Sequence, residues 1–132
     1  MERDKKQLCP FLRKVEELPV KLKYSRTLEY FEGLILAEYA DEKGWPWVEK
    51  WCDCDNTAQR YLFVAIESPE KITSYLKKEI SMLDLLTSGS SSGYIVDESG
   101  GKTTAVYYVH LDELPSGYMP SPDSFHDEDL MP

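Results

Sequence analysis

The sequence predicts an α+β fold in a single domain: an antiparallel sheet of about five or six strands, a meander plus a C-terminal hairpin, with one or two helices on one face. Apolar or alternating segments of strand length recur along the chain, and turn sequences separate them. After the N-terminal arm, sequence signals for a helix start occur only between the meander and the hairpin. The chain has 132 residues and is 42% hydrophobic, which is enough for one core.

The meander is predicted from three segments. Residues 34–39 are almost continuously apolar, residues 41–44 form a turn that ends in glycine, and residues 45–54 return. The segment RYLFVAIE at residues 60–67 is aromatic and β-branched, a composition typical of strands. The meander has a fourth strand if the alternating residues 28–30 are included.

Two helices are predicted after the meander. Ser68 is placed to cap the first, with Pro69 at the first helical position, and its apolar stripe consists of Ile72, Tyr75, Leu76 and Ile80. Ser81 is expected to cap the second, with Asp84 as the capping partner. The polar run SGSSSG at residues 88–93 is expected to be a flexible loop, and residues 94–98 and 103–110 a hairpin around two glycines.

The chain ends are predicted to lie outside a central domain at residues 19–120. In the N-terminal arm, residues 1–18, Pro10 is placed to start a short helix with an apolar stripe of Phe11, Leu12, Val15 and Leu18. Residues 121–132 are expected to form an acidic mobile tail with a solvated His126. Few large apolar side chains are present there to offset the entropy cost of ordering the segment.

Charge and cysteine content exclude several classes of partner and environment. The formal net charge of −9 argues against nucleic acids and anionic membranes as direct partners. No apolar stretch approaches the length of about 20 residues that a membrane span requires. The three cysteines do not form a disulfide framework, and a reducing cytoplasm suits them best.

A metal site is not predicted. In Cys52-Asp53-Cys54-Asp55, the period of two would place both sulfurs on one face of a strand, which makes Cys52 and Cys54 weak metal candidates. A structural zinc ion needs four ligands, and the remaining candidates Cys9, His110 and His126 supply no second pair. Two small buried side chains are the favoured interpretation, and no cofactor is expected.

An enzyme is not predicted either. The chain has no nucleophile-elbow or phosphate-binding glycine motif, and its histidines have no recognisable catalytic partners. The alternative is a small-ligand binder or enzyme that uses the tryptophan-rich sheet face with Asp53, Asp55 or His110.

The three tryptophans suggest a binding surface. In an unbroken strand, Trp45, Trp47 and Trp51 share a face with Glu49 and Asp53, and a fully buried face rarely admits two carboxylates. Packing of all three tryptophans under a helix is the favoured interpretation, and a surface that docks a protein or peptide is the alternative. The candidate partner-binding residues are Trp45, Trp47, Trp51, Glu49, Asp53, Phe125, Asp127, Glu128 and Asp129.

Two further stretches carry a resemblance. Residues 51–86, with the step Glu79-Ile80-Ser81-Met82-Leu83, and the element LPSGYMP at residues 114–120 resemble a family of small acidic bacterial proteins of uncharacterised function. The resemblance implies a bacterial, cytosolic, stand-alone module of the size often found beside defence or toxin genes. The predicted function is a non-enzymatic protein-interaction module, such as an inhibitor, immunity or accessory subunit, with its oligomeric state left open.

Overall fold

Seven antiparallel strands form one sheet in the computed structural model, which describes Leu8 and residues 10–131. The sheet order is β1-β7-β6-β5-β4-β3-β2, and α1 and α2 lie in the connection between β5 and β6. The elements are β1 (Lys14–Val15), β2 (Lys23–Tyr30), β3 (Leu34–Ala40), β4 (Pro46–Cys54), β5 (Gln59–Ala65), α1 (Pro69–Leu76), α2 (Met82–Leu86), β6 (Ser92–Ser99) and β7 (Lys102–His110).

The predicted α+β fold with an antiparallel sheet is confirmed, and the sheet has more strands than predicted. The strand that was not predicted is β1, at one edge of the sheet, and β2, at the other edge, is longer than predicted. Within the described chain, neither α1 nor α2 has the length and apolar character that crossing a bilayer requires.

Both helices pack on one side of the sheet, which we call the first face. Ser81 caps α2 as predicted, since its Oγ accepts a hydrogen bond of 3.1 Å from the Asp84 backbone N–H. Ser68 precedes α1 in extended conformation, but its side chain makes no capping hydrogen bond. The buried residues of this core include Leu36, Val48, Leu62, Val64 and Ile95 from the sheet and Ile72, Tyr75, Leu85 and Leu86 from the helices.

The opposite side of the sheet, the second face, has its own small core. The buried side chains are Trp47, Phe63, Val96 and Val106, and the chain between β1 and β2 covers them with Leu18, Val20 and Leu22. The N-terminal arm is extended and pairs with β7, because Arg13 O accepts a hydrogen bond of 2.8 Å from Tyr108 N–H. The prediction of a short helix after Pro10 is therefore wrong.

The polar loop after α2 lies directly against β5. A Cβ atom on Gly89 would be 2.4 Å from Ala65 O, so only glycine permits this approach. β6 begins at Ser92, inside the run expected to be a flexible loop. The close approach explains why a serine- and glycine-rich segment can be part of the packed structure.

The C-terminal segment, residues 121–131, packs on the helix side of the sheet. Met82 N–H donates a hydrogen bond of 2.8 Å to Ser124 O, and His126 is 4% exposed. The expectation of a solvated His126 is wrong, because its ring packs 5.3 Å from that of Tyr75. The mobility of this tail stays a prediction, and release of the segment would break these contacts.

Candidate partner-binding groove

A β-bulge at Cys52 decides which side chains of β4 share a face. Trp51 lies opposite Tyr61 on β5, whereas Asp53 lies opposite Arg60, so Cys52 is an additional residue in the ladder. An additional residue reverses the alternation of side chains beyond it. The prediction that Asp53 shares the tryptophan face is wrong because the strand is not regular.

The three tryptophans have three different environments. Trp47 is 8% exposed in the second-face core, and its indole N–H lies 3.3 Å from Asp41 Oδ2. Trp45 precedes β4, is about half exposed and donates its indole N–H to Ile66 O at 2.7 Å. Trp51 is half-buried, and its indole N–H donates to Gln59 Oε1 at 2.7 Å. Trp51 also lines a groove.

This groove, of about 610 Å³, lies between the turn joining β2 to β3 and the adjoining ends of β4 and β5. Phe31 in that turn is 60% exposed. Glu32 has a φ of 54°, and Phe31 N–H donates to Gly33 O at 2.9 Å, which holds the turn tightly closed. The lining residues are Phe31, Glu32, Gly33, Leu34, Ile35, Trp51, Cys54, Gln59 and Tyr61.

Carboxylates lie in and beside the groove. Glu32 is a lining residue, and Glu98 on β6 is opposite Gln59. Glu49 lies two residues before Trp51 on β4, so it is on the same second face, and it is 3% exposed. Burial raises the pKa of Glu49 to about 7. The hydrogen bond of 2.9 Å that Tyr39 OH donates to Glu49 lowers this pKa, whereas the negative charge of Glu98 raises it further. Burial also raises the pKa of Tyr61, and Glu98 contributes.

Asp53 belongs to a network on the first face. Arg60 is 1% exposed and donates to both oxygens of Asp97, at 2.7 and 2.9 Å, and to Tyr118 OH at 3.2 Å. Tyr118 OH in turn donates to Asp53 Oδ2 at 3.0 Å. The Phe11 ring covers the guanidinium at 5.0 Å. Asp53 therefore holds buried partners in place and is not part of the groove.

The same bulge separates the two candidate metal ligands. Cys52 is buried in the first-face core, where burial raises the pKa of its thiol to about 11, whereas Cys54 lines the groove on the second face. The prediction that both sulfurs share a face is wrong. Cys9 lies outside the described residues. Over Leu8 and residues 10–131, no group of three or more His, Cys, Asp and Glu side chains is placed to hold a metal ion.

The residues of the alternative ligand site do not come together. His110 pairs with Ser92 at one end of β7. Asp53 and Asp55 lie at the opposite end of the sheet, where Cys54 pairs with Gln59 and Gln59 with Glu98. Strands of this length separate the two ends by about 25 Å.

The acidic candidates of the C-terminal segment do not line the groove. Phe125 is 46% exposed. Asp127 Oδ1 accepts a hydrogen bond of 3.0 Å from Asp129 N–H, and a Glu128 oxygen is 3.6 Å from Lys78 Nζ. These carboxylates cap and anchor the local 3₁₀ turn at Glu128–Leu130.

Phe31, Tyr61 and Glu98 are not among the site residues predicted from the sequence. The signal for Phe31 was present, since Phe-Glu-Gly between two strand-like segments marks a hairpin turn with an aromatic residue at its tip. Comparisons of the chain with protein-family models, with curated proteins and with solved structures find no match. The resemblance to small bacterial proteins stays a prediction.

Proposed function

We propose that the protein is a non-enzymatic, acidic protein-interaction module and that the groove beside Trp51 receives its partner. The observation that carries this proposal is the exposure of Phe31, which is 60% accessible at the rim of a groove also lined by Trp51 and Tyr61. Aromatic side chains are enriched at protein interfaces and contribute a large share of their binding energy.

The charge of the chain supports a basic partner. The net charge of −9 favours encounter with a positively charged protein surface, and this attraction weakens as salt increases. An inhibitor, immunity or accessory subunit of a bacterial system, acting in the cytoplasm, is the role that we propose on this basis.

Site-specific photocrosslinking tests the proposal. A benzophenone amino acid is placed at Phe31 and, as a control of similar exposure on the edge strand, at Tyr24, which is 53% exposed. We expect irradiation in the native host to yield one discrete protein adduct from position 31 and none of that mass from position 24. Trp51→Ala in the Phe31-labelled protein should abolish the adduct while its circular dichroism spectrum is retained.

Two results would contradict the proposal. Adducts of equal yield from both positions would indicate nonspecific contact, and no adduct from position 31 would remove the groove as a docking site. Thermal stabilisation by a small metabolite that depends on Trp51 would instead favour a small-ligand binder.

A further inference from the structure

The chemistry of the groove combines aromatic rings with negative charge. Trp51 and Tyr61 are direct cross-strand partners, so their side chains stand next to each other on the second face. Glu32 lies in the lining and Glu98 lies opposite Gln59 on the adjoining strand. Among the residues that the structure describes, the groove lining includes no Lys or Arg.

The basic residue of β4 faces away from the groove, and a carboxylate on β6 acts on the second face. Lys50 is the basic residue of β4, but it is opposite Leu62 on the first face and its Nζ donates to Trp51 O at 3.0 Å. Glu98 is close enough to raise the pKa values of Glu49, Tyr39 and Tyr61, each after the larger effect of burial. Two carboxylates, Glu32 in the groove lining and Glu98 on the strand next to Tyr61, thus lie at this end of the sheet.

We infer that the groove recognises an Arg or Lys side chain in a linear segment of the partner protein, with the cation placed against the Trp51 and Tyr61 rings. Glu32 in the lining and Glu98, on the strand next to Tyr61, attract it from opposite sides of the groove. This inference rests on the proposed function and names the chemistry that the groove selects.

An Arg or Lys side chain is expected to bind this groove more tightly than an uncharged side chain. A cation over an indole or phenol ring is attracted by the ring quadrupole, and the attraction grows when water is excluded. The apolar stem of Lys or Arg covers hydrophobic surface while its head reaches a carboxylate, and here Leu34 and Phe31 offer that surface. A neutral segment would leave the carboxylates partly desolvated without a partner, which disfavours binding.

The hydrogen bond between Trp51 and Gln59 also favours binding of a cation in the groove. It holds the indole in one orientation at 2.7 Å, so the ring does not have to be ordered when the partner arrives. A preorganised aromatic side chain loses less conformational entropy on binding, and this increases affinity.

Four heptapeptide mixtures test the inference, each with randomised flanks and a central residue fixed as Arg, Lys, Gln or Glu. Binding is followed by the indole N–H signals in two-dimensional NMR spectra of the full chain. The Trp51 signal reports the groove, and the buried Trp47 signal is an internal reference. We expect the Arg and Lys mixtures to shift the Trp51 signal, and the Gln and Glu mixtures to leave it unchanged.

A matched pair of double variants identifies the carboxylates. Glu32→Gln with Glu98→Gln removes two charges beside the groove, and Glu70→Gln with Glu79→Gln removes two exposed charges on and after α1. We expect about fivefold to tenfold weaker binding of the Arg mixture by the first variant and no change for the second.

The outcomes separate this inference from the proposed function. Equal shifts by the Arg and Gln mixtures, no shift by any mixture, or equal loss in both double variants would overturn cation recognition. If the position 31 crosslink persists in that case, the groove still docks a protein and only its preference for a cation is wrong. If the crosslink is also absent, the proposed function fails.

Discussion

Among single residues, Glu49 is a carboxylate whose buried environment disfavours its charge. It is 3% exposed between aromatic neighbours, and burial raises its pKa to about 7 from a reference value of 4.5. Between these two values the folded protein binds more protons than the unfolded chain, so the free energy of unfolding falls as pH rises through this window. Above about pH 7 the full destabilisation is present.

Replacing Glu49 by Gln should therefore stabilise the protein at neutral and alkaline pH. We expect Glu49→Gln to raise the free energy of unfolding by about 1–3 kcal/mol at pH 8 and to change it little at pH 4. The amide oxygen still accepts the hydrogen bond from Tyr39 OH. Urea denaturation at the two pH values measures the difference, with the exposed Glu79→Gln as control. A variant no more stable than the parent at pH 8 would show that Glu49 is not destabilising.

The faces and partners of some single residues could not be predicted from the local sequence. Alternation along β4 predicted the face of Trp47 and Glu49, but the bulge at Cys52 moved Asp53 to the other face. Nothing in the local sequence signals that extra residue. Arg60 was placed on a strand, but its burial depends on Asp97, which lies 37 residues away in the chain. Local patterns contain no information on such a pairing.

Among the elements, those with local start and stop signals were predicted closely. β3, β4 and β5 follow apolar runs, and α1 and α2 begin directly after Ser68 and Ser81. β1 and most of β2 were not predicted because edge strands are defined by the strands they join, not by their own composition. The arm at residues 10–18 has a helix-like apolar stripe, and pairing with β7 overrides it.

The apolar stripe of α1 leads to a test of the first-face core. Ile72 is 1% exposed, and removal of its buried methylene and methyl groups leaves a cavity beneath the helix. We expect Ile72→Ala to lower the free energy of unfolding by about 2–4 kcal/mol. The exposed Thr73→Ala on the same helix should change it by less than about 0.5 kcal/mol. Similar values for both variants would show that α1 does not hold the core together.

At the scale of the whole molecule, the candidate groove depends on contacts between distant parts of the chain. Phe31 comes from the turn after β2, Trp51 from β4 and Tyr61 from β5, and the sheet order brings them together. The sequence pointed to Trp45, Trp47 and Trp51 together, because a tryptophan face with carboxylates is expected to be partly open. The pattern along β4 does not separate Trp51 from Trp47, because the segment that covers Trp47 lies between β1 and β2.

The C-terminal segment joins the two layers of the molecule through a buried cluster of three polar side chains. Glu29 on β2 is 3% exposed and accepts hydrogen bonds from Tyr75 OH on α1 and, at 3.0 Å, from His126 Nδ1. The carboxylate is thereby shared between the sheet, a helix and the chain end. Loss of one partner leaves a buried acceptor incompletely satisfied, which is costly because water does not replace the donor.

We therefore expect His126→Ala to lower the free energy of unfolding by about 2–4 kcal/mol. In the double-mutant cycle with Glu29→Gln, the two effects should be non-additive by about 1 kcal/mol or more, since both act on one contact. The exposed Asp129→Asn in the same segment is the control and should change stability by less than about 0.5 kcal/mol.

Chemical denaturation measures the stability of all four variants. Proteolysis near Glu128 should become faster when His126 is absent, because the chain end loses its anchor. If His126→Ala and deletion of residues 121–132 both leave stability within about 0.5 kcal/mol, the segment is a mobile tail whose contacts contribute nothing to the fold.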